Sequence, residues 1–174
     1  MTALLLLAAA GLAATALIFA ACLRPRSAVS LFLGAYLLAS AEIVVLTELL
    51  SPFGWVGPLG YVLGETVLLA AALVCARRFG APLRLPRVSL RAAARAHPLV
   101  AGLAGVVGLA FVYEAFVGLA SPPNDWDSMV YHLPRAATWL QEGSVSYIAD
   151  ASTQQLNIFP PKWGFQLLYT MALS

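Results

Sequence analysis

The sequence predicts an all-α fold. It is a polytopic bundle of transmembrane helices with an extracytoplasmic loop that carries an amphipathic, interfacial helix. Three observations lead there. First, of 174 residues, 61% are hydrophobic and only 10% charged, whereas soluble domains carry about 25% charged residues. Second, mean hydropathy is +0.84, and the apolar residues fall into four long runs. Third, arginines cluster between alternate runs. The net charge of +2 says little; its distribution sets topology, and nothing in it suggests a nucleic-acid partner. The two cysteines, Cys22 and Cys75, both fall near arginines at one membrane face. Two isolated thiols define neither a disulfide framework nor a metal-ligand spacing.

About 20 residues cross a bilayer core. The first run, Thr2–Leu23, is stopped by Arg24-Pro-Arg26. It has no basic n-region and is long for a signal h-region. Phe19-Ala-Ala-Cys22 resembles a lipoprotein cleavage site with Phe where Leu is usual, but a retained first helix is the better reading. The second run, Ala28–Leu50, closes at Ser51-Pro-Phe-Gly54, and the third, Leu59–Ala76, at Arg77-Arg78. The fourth, Pro98–Ala120, closes at Ser121-Pro-Pro123. Its small residues Gly102, Ala104, Gly105 and Gly108 predict close helix packing.

Arg24 and Arg26 separate runs one and two. Arg77, Arg78, Arg84, Arg87, Arg91 and Arg95 separate runs three and four. The segment Ser51–Pro58 has no Lys or Arg, and none precedes the first run. Loops rich in Lys and Arg stay cytoplasmic. This predicts an external N-terminus and an external segment after Ala120. The basic loop Arg77–His97 could be a partner site or a contact with anionic membrane lipid, but a topology determinant with an interfacial helix is the better reading. His97, beside Pro98 where the fourth helix starts, reads as structural.

Four glutamates, Glu42, Glu48, Glu65 and Glu114, lie inside apolar runs. Ionisable groups at membrane depth are costly and point to function by default. At helical rise, Glu48 lies about 3–5 Å below the outer end of its helix, Glu65 and Glu114 about 9 Å, and Glu42 roughly 12 Å. All four belong to the outer half. They could line a polar cavity under the external loop, or each could bond to a nearby Thr, Ser or Tyr or reach the interface. A chain of carboxylates also suits a proton relay.

The segment from Ser121 to about Lys162 is external on this topology. Asp125 or Asp127 suits the N-cap of a helix over Ser128–Glu142, and Gly143 suits its C-terminal stop. Met129, Val130, Leu133, Ala136, Ala137 and Leu140 recur at helical spacing. Pro134 should kink or split the helix. With Trp126 and Trp139 beside it, such a helix lies along the interface. Ser144–Asn157 is polar and loop-like, and Ile158-Phe-Pro-Pro-Lys-Trp163 returns the chain to the membrane. Trp163–Ser174 is apolar but too short to cross. It reads as the start of a fifth span, truncated, so that the chain reads as the N-terminal part of a longer protein.

Asp125 and Asp127 at an outer surface could act as a general base on a hydroxyl or hold a divalent metal ion. A cap and a solvated loop residue are the bland alternative. His132 and Arg135 stand one helical turn apart, and either could meet a phosphate. Lys162, after a double proline at the membrane re-entry, could do the same. The bland alternatives are a solvated His132 and snorkelling for Arg135 and Lys162.

The string Asp127-Ser-Met-Val-Tyr131, then Arg135-Ala-Ala-Thr-Trp-Leu-Gln-Glu-Gly143, then Pro160-Pro-Lys-Trp-Gly-Phe-Gln-Leu-Leu168 resembles the first external loop of GT-C membrane glycosyltransferases. The pattern is most similar to the protein O-mannosyltransferase and aminoarabinose-transferase group and their bacterial kin. The resemblance runs over Asn124–Leu168, about a quarter of the chain. It implies a polyprenyl-phosphate-linked sugar as donor, Asp127 as the catalytic or metal-associated carboxylate, Tyr131 as the family's tyrosine, and Lys162 near the donor phosphate. It also implies the plasma membrane of a bacterium, with the loop extracytoplasmic. Three features depart from the family pattern. Ser128 replaces the second acid, with Asp125 displaced to the other side. Lys162 follows the prolines, where the family places its lysine before them. Three extra spans precede the loop.

The function expected is transfer of a sugar to an extracytoplasmic acceptor. Asp127 acts on the acceptor, Asp125 and His132 support it, and Arg135, Lys162 or a bound cation meets the phosphate. The alternatives are a transporter or flippase module using the glutamates, and a non-catalytic subunit that assembles with partner membrane proteins.

Overall fold

The computed structural model describes residues 3–80, 95, 97–121, 126–149, 155–158, 161 and 163–174. All regular structure among them is helical. The long helices are α1 (Ala3–Cys22), α2 (Ala28–Leu50), α3 (Pro58–Phe79) and α4 (Pro98–Ala120). A π-turn, Ser128–His132, leads into α5 (Leu133–Glu142). The short α6 (Gln155–Ile158) and then α7 (Gly164–Leu173) follow. Four helices are long and apolar enough to cross a membrane. This marks an integral membrane protein, and the bounds agree with the four runs read from the sequence. The interfacial helix expected within Arg77–His97 falls largely outside the described residues.

Local chemistry explains the helix ends. Ser27 caps α2, its hydroxyl accepting from the Ser30 N–H at 3.0 Å. Pro58 and Pro98 open α3 and α4, where the missing N–H costs nothing. Gly80 ends α3 in the left-handed conformation.

α1 packs against both α2 and α3. At one end the seam is small: Ala16 and Ala20 meet Leu31 and Ala35. At the other end Leu5, Ala8, Ile43, Leu46 and Tyr61 form one core with Phe165, Leu168, Tyr169 and Leu173 of α7. So α7 is not a peripheral stub. It wedges against α2 and α5 and touches α1 and α3. α4 behaves differently. Its side chains are exposed along nearly the whole length. A methyl group built on Gly102, Gly105 or Gly108 meets nothing within 4 Å. The close packing expected of this stripe is therefore not made among the described residues.

The two ends of the bundle differ in charge. Arg24 donates to the Phe79 carbonyl at 2.9 Å, so the α1–α2 link and the end of α3 lie together. Arg24, Arg26, Arg77 and Arg78 gather at that end. The Ser51–Gly57 link is at the other, and α5 docks on it. The Val56 N–H donates to the Gly143 carbonyl at 2.8 Å, and the Val145 N–H to the Ser51 hydroxyl at 2.8 Å. Gly143 has φ 68° and ends α5. A Cβ there would stand 2.6 Å from the Gly54 carbonyl oxygen, so both the turn and the docking require glycine.

The chain around Pro134 corrects two expectations. Asp127 does not cap the helix: its φ of −62° and ψ of −41° are helical, and its side chain makes no capping bond. Asp125 lies outside the described residues. At Pro134 the helix changes type, from the π-turn to α5, which opens at Leu133 with Pro134 in its first turn. The Leu133 N–H bonds to the Ser128 carbonyl, five residues back, and this wider turn relieves the clash a proline ring causes in a regular helix. The extra residue rotates everything N-terminal to it. Met129, on the apolar stripe expected to lie along the interface, is 55% exposed, while Tyr131, His132, Arg135, Ala136 and Trp139 are buried.

Candidate functional site

Two polar sites emerge, both toward the end of the bundle opposite the arginines. The first is built on the π-turn and α5. His132 is buried, 6% exposed, and stacks on Trp163 with ring centroids 4.4 Å apart and planes at 29°. On its other side Tyr131 lies 4.3 Å away at 49°. Arg135, one turn on, is 3% exposed. Its guanidinium carbon lies 5.7 Å from the Trp139 ring centroid, within cation–π range. Trp139 is held in turn by its indole N–H, which donates to the Ser146 carbonyl at 3.0 Å.

Three polar atoms of this site are left over. His132 Nδ1 and Arg135 Nε and Nη2 are buried without a hydrogen-bond partner. A buried charge left uncompensated costs on the order of several kcal/mol. Burial pulls the Arg135 guanidinium below its usual value, and nearby Tyr131 opposes that pull. The arrangement suits an anion.

The sequence placed Asp127, Tyr131, His132 and Arg135 in one site, and the structure keeps them on one continuous helical stretch. Asp127 is exposed, and Tyr131, His132 and Arg135 are buried. Neither a solvated His132 nor a snorkelling Arg135 describes these positions. Lys162 and Asp125 fall outside the described residues. Among the described residues no group of three or more His, Cys, Asp or Glu gathers to hold a metal ion. Sequence reasoning missed the part played by Trp163 as the platform for His132. The only signal was its place directly after Pro160-Pro-Lys162.

In the loop that follows, Asn157 pins Ile148 from both sides of its peptide backbone. Asn157 accepts from the Ile148 N–H at 3.0 Å and donates to the Ile148 carbonyl at 2.6 Å. Ile148 and Leu156 then cover Tyr131.

The second site lies inside the bundle. Of the four intramembrane glutamates, the structure brings together two. Glu48 and Glu114 are exposed on their helices. Glu65 of α3 is buried, 4% exposed, and Glu42 of α2 is half-buried beside it. The two carboxyls lie close enough to interact. The Tyr169 hydroxyl of α7 lies 2.8 Å from Glu65 Oε1 and 3.3 Å from the Ala8 carbonyl of α1. Tyr61 packs edge-on against Tyr169 at 4.9 Å. Its hydroxyl pairs with that of Thr47 at 2.7 Å, and Thr47 in turn donates to the Ile43 carbonyl. A threonine hydroxyl has one proton, so Tyr61 is the donor to Thr47. Tyr61 stands one turn before Glu65, which sequence spacing could have flagged. Tyr169 comes from a distant segment, which spacing could not.

No protein-family model, no curated protein and no solved structure matches the chain.

Proposed function

We propose that the chain carries the donor- and acceptor-handling loop of a GT-C type membrane glycosyltransferase, moving a sugar from a polyprenyl-phosphate donor to an extracytoplasmic acceptor. The observation that supports this best is the buried, acceptor-poor pair His132 and Arg135, eight residues or fewer from the exposed carboxylate of Asp127. A donor phosphate supplies the missing acceptors. Asp127 orients the acceptor hydroxyl and takes its proton. The acceptor oxygen forms its bond to the sugar C1 as the C1–O bond to the phosphate breaks, with inversion. The phosphate leaves with the electron pair, and the Arg135 charge stabilises it. Where Lys162 reaches the site, it adds a second positive charge. The positive-inside pattern supports an extracytoplasmic placement of this loop, and the bacterial inner membrane follows from the resemblance.

The test is sugar transfer in membrane vesicles, using a radiolabelled polyprenyl-phosphate sugar and the full-length protein. Asp127→Asn should abolish transfer while expression and membrane insertion persist. Arg135→Gln should raise the donor KM more than it lowers kcat. Unchanged transfer with Asp127→Asn would remove the reading.

A second reading is a transporter or flippase module. The Glu42–Glu65 pair in the bundle favours it. It predicts that Glu42→Gln impairs function more than Asp127→Asn does.

A further inference from the structure

The donors and acceptors around Glu65 do not balance. The acceptors are four carboxyl oxygens of Glu42 and Glu65, the Tyr169 oxygen and the Ala8 carbonyl. The hydroxyl protons nearby are those of Tyr169 and Tyr61, and Tyr61 is committed to Thr47. Tyr169 has one proton for two acceptors. Glu42 Oε1 and Glu65 Oε2 are buried and receive no donor from any other side chain or backbone group. Two carboxyls this close can hydrogen-bond to each other only when at least one carries a proton. The cluster is therefore short of protons.

We propose that Glu42 and Glu65 together bind one exchangeable proton in the core of the bundle. Bound between the carboxyls, the proton joins α2 to α3. Placed on Glu65 Oε1, it would donate to Tyr169 and free the tyrosine to donate to Ala8. The same proton then fastens α7 to α1 and α3. A cleft of about 170 Å³ between α1 and α3, lined by Leu4, Leu7, Gly11, Val62 and Leu69, reaches Glu65. Glu65 has an unpartnered oxygen and is 4% exposed.

Among the described residues no group of three or more His, Cys, Asp or Glu gathers to hold a metal ion, which favours a proton at the pair over a metal cation. The titratable groups facing the pair are few. α1 presents none near Ala8, α2 presents Glu42, α3 presents Glu65 and Tyr61, and α7 presents Tyr169 alone. Among the described residues no positive charge acts on the pair.

The proton is detectable by labelling the whole protein in lipid nanodiscs with a hydrophobic carbodiimide, which adds only to protonated carboxyls. The expected result at neutral pH is one adduct per chain, mapped by peptide mass spectrometry to Glu42 or Glu65. It should fade as pH is raised. It should be lost in the Glu42→Gln/Glu65→Gln double variant and kept in Glu48→Gln/Glu114→Gln. Unchanged helix content and elution volume of the variants keep the comparison valid. Absence of the adduct at neutral pH, or its appearance on Glu48 or Glu114, overturns the proposal. Protection by sodium but not by choline also overturns it, since a metal cation would then hold the site.

Discussion

The two polar sites of this protein have opposite shortages. The Glu42–Glu65 cluster in the bundle has acceptors to spare and too few protons. The His132–Arg135 site on the π-turn and α5 has two guanidinium nitrogens and one imidazole nitrogen without a partner. On the readings proposed above, a proton would close the first and an anion with several oxygens the second. The difference follows from where each is built. The cluster is hemmed in by α1, α2, α3 and α7. The other site stands at the end of the bundle, beside an exposed Asp127 and a loop.

The two regions are joined mechanically, and the joint is the place to break the comparison first. Gly143→Ala places a left-handed residue with a side chain against Gly54. The backbone strain costs on the order of 1–3 kcal/mol and the overpacking about 1–3 kcal/mol more. Thermal unfolding should show the largest loss of this set, and a cysteine pair engineered across Ser51 and Val145 should crosslink less readily.

The acceptor shortage is tested next. Arg135→Met removes the buried guanidinium, whose Nε and Nη2 lack partners, and keeps the stem. Without donor lipid the protein should gain about 1–4 kcal/mol of stability, while donor-dependent stabilisation disappears. A stability loss without ligand would mean that Arg135 is already compensated. Tyr169→Phe probes the donor shortage. It removes the hydroxyl that meets Glu65 and should cost about 1–3 kcal/mol, read in the same melts. The smallest effect is expected from His132→Phe, which keeps the stack on Trp163. Its stability change should stay below about 1 kcal/mol, while phosphate-dependent donor binding weakens.

The outline of the fold was legible in the chain itself. Hydropathy marks each span because a bilayer demands a continuous apolar stretch, and the four helices begin and end close to where composition changes. Gly143 as the stop of α5 was legible for a similar local reason. The face that α5 and the π-turn bury was not. Pro134 signalled a disturbance, but not whether the chain would kink or insert a residue, and that choice left Met129 exposed and put Tyr131 and His132 on the buried side.

By itself, then, the sequence determined the spans, the clustering of arginines between alternate spans, and the concentration of chemistry after Ala120. Those depend on short-range composition. Tertiary structure alone decided which glutamates matter. Glu48 and Glu114 stay exposed, whereas Glu65 meets a tyrosine 104 residues away. Periodicity places a residue on a face of its own helix. Which hydroxyl or carboxyl waits opposite is set only when α2, α3 and α7 close around one another.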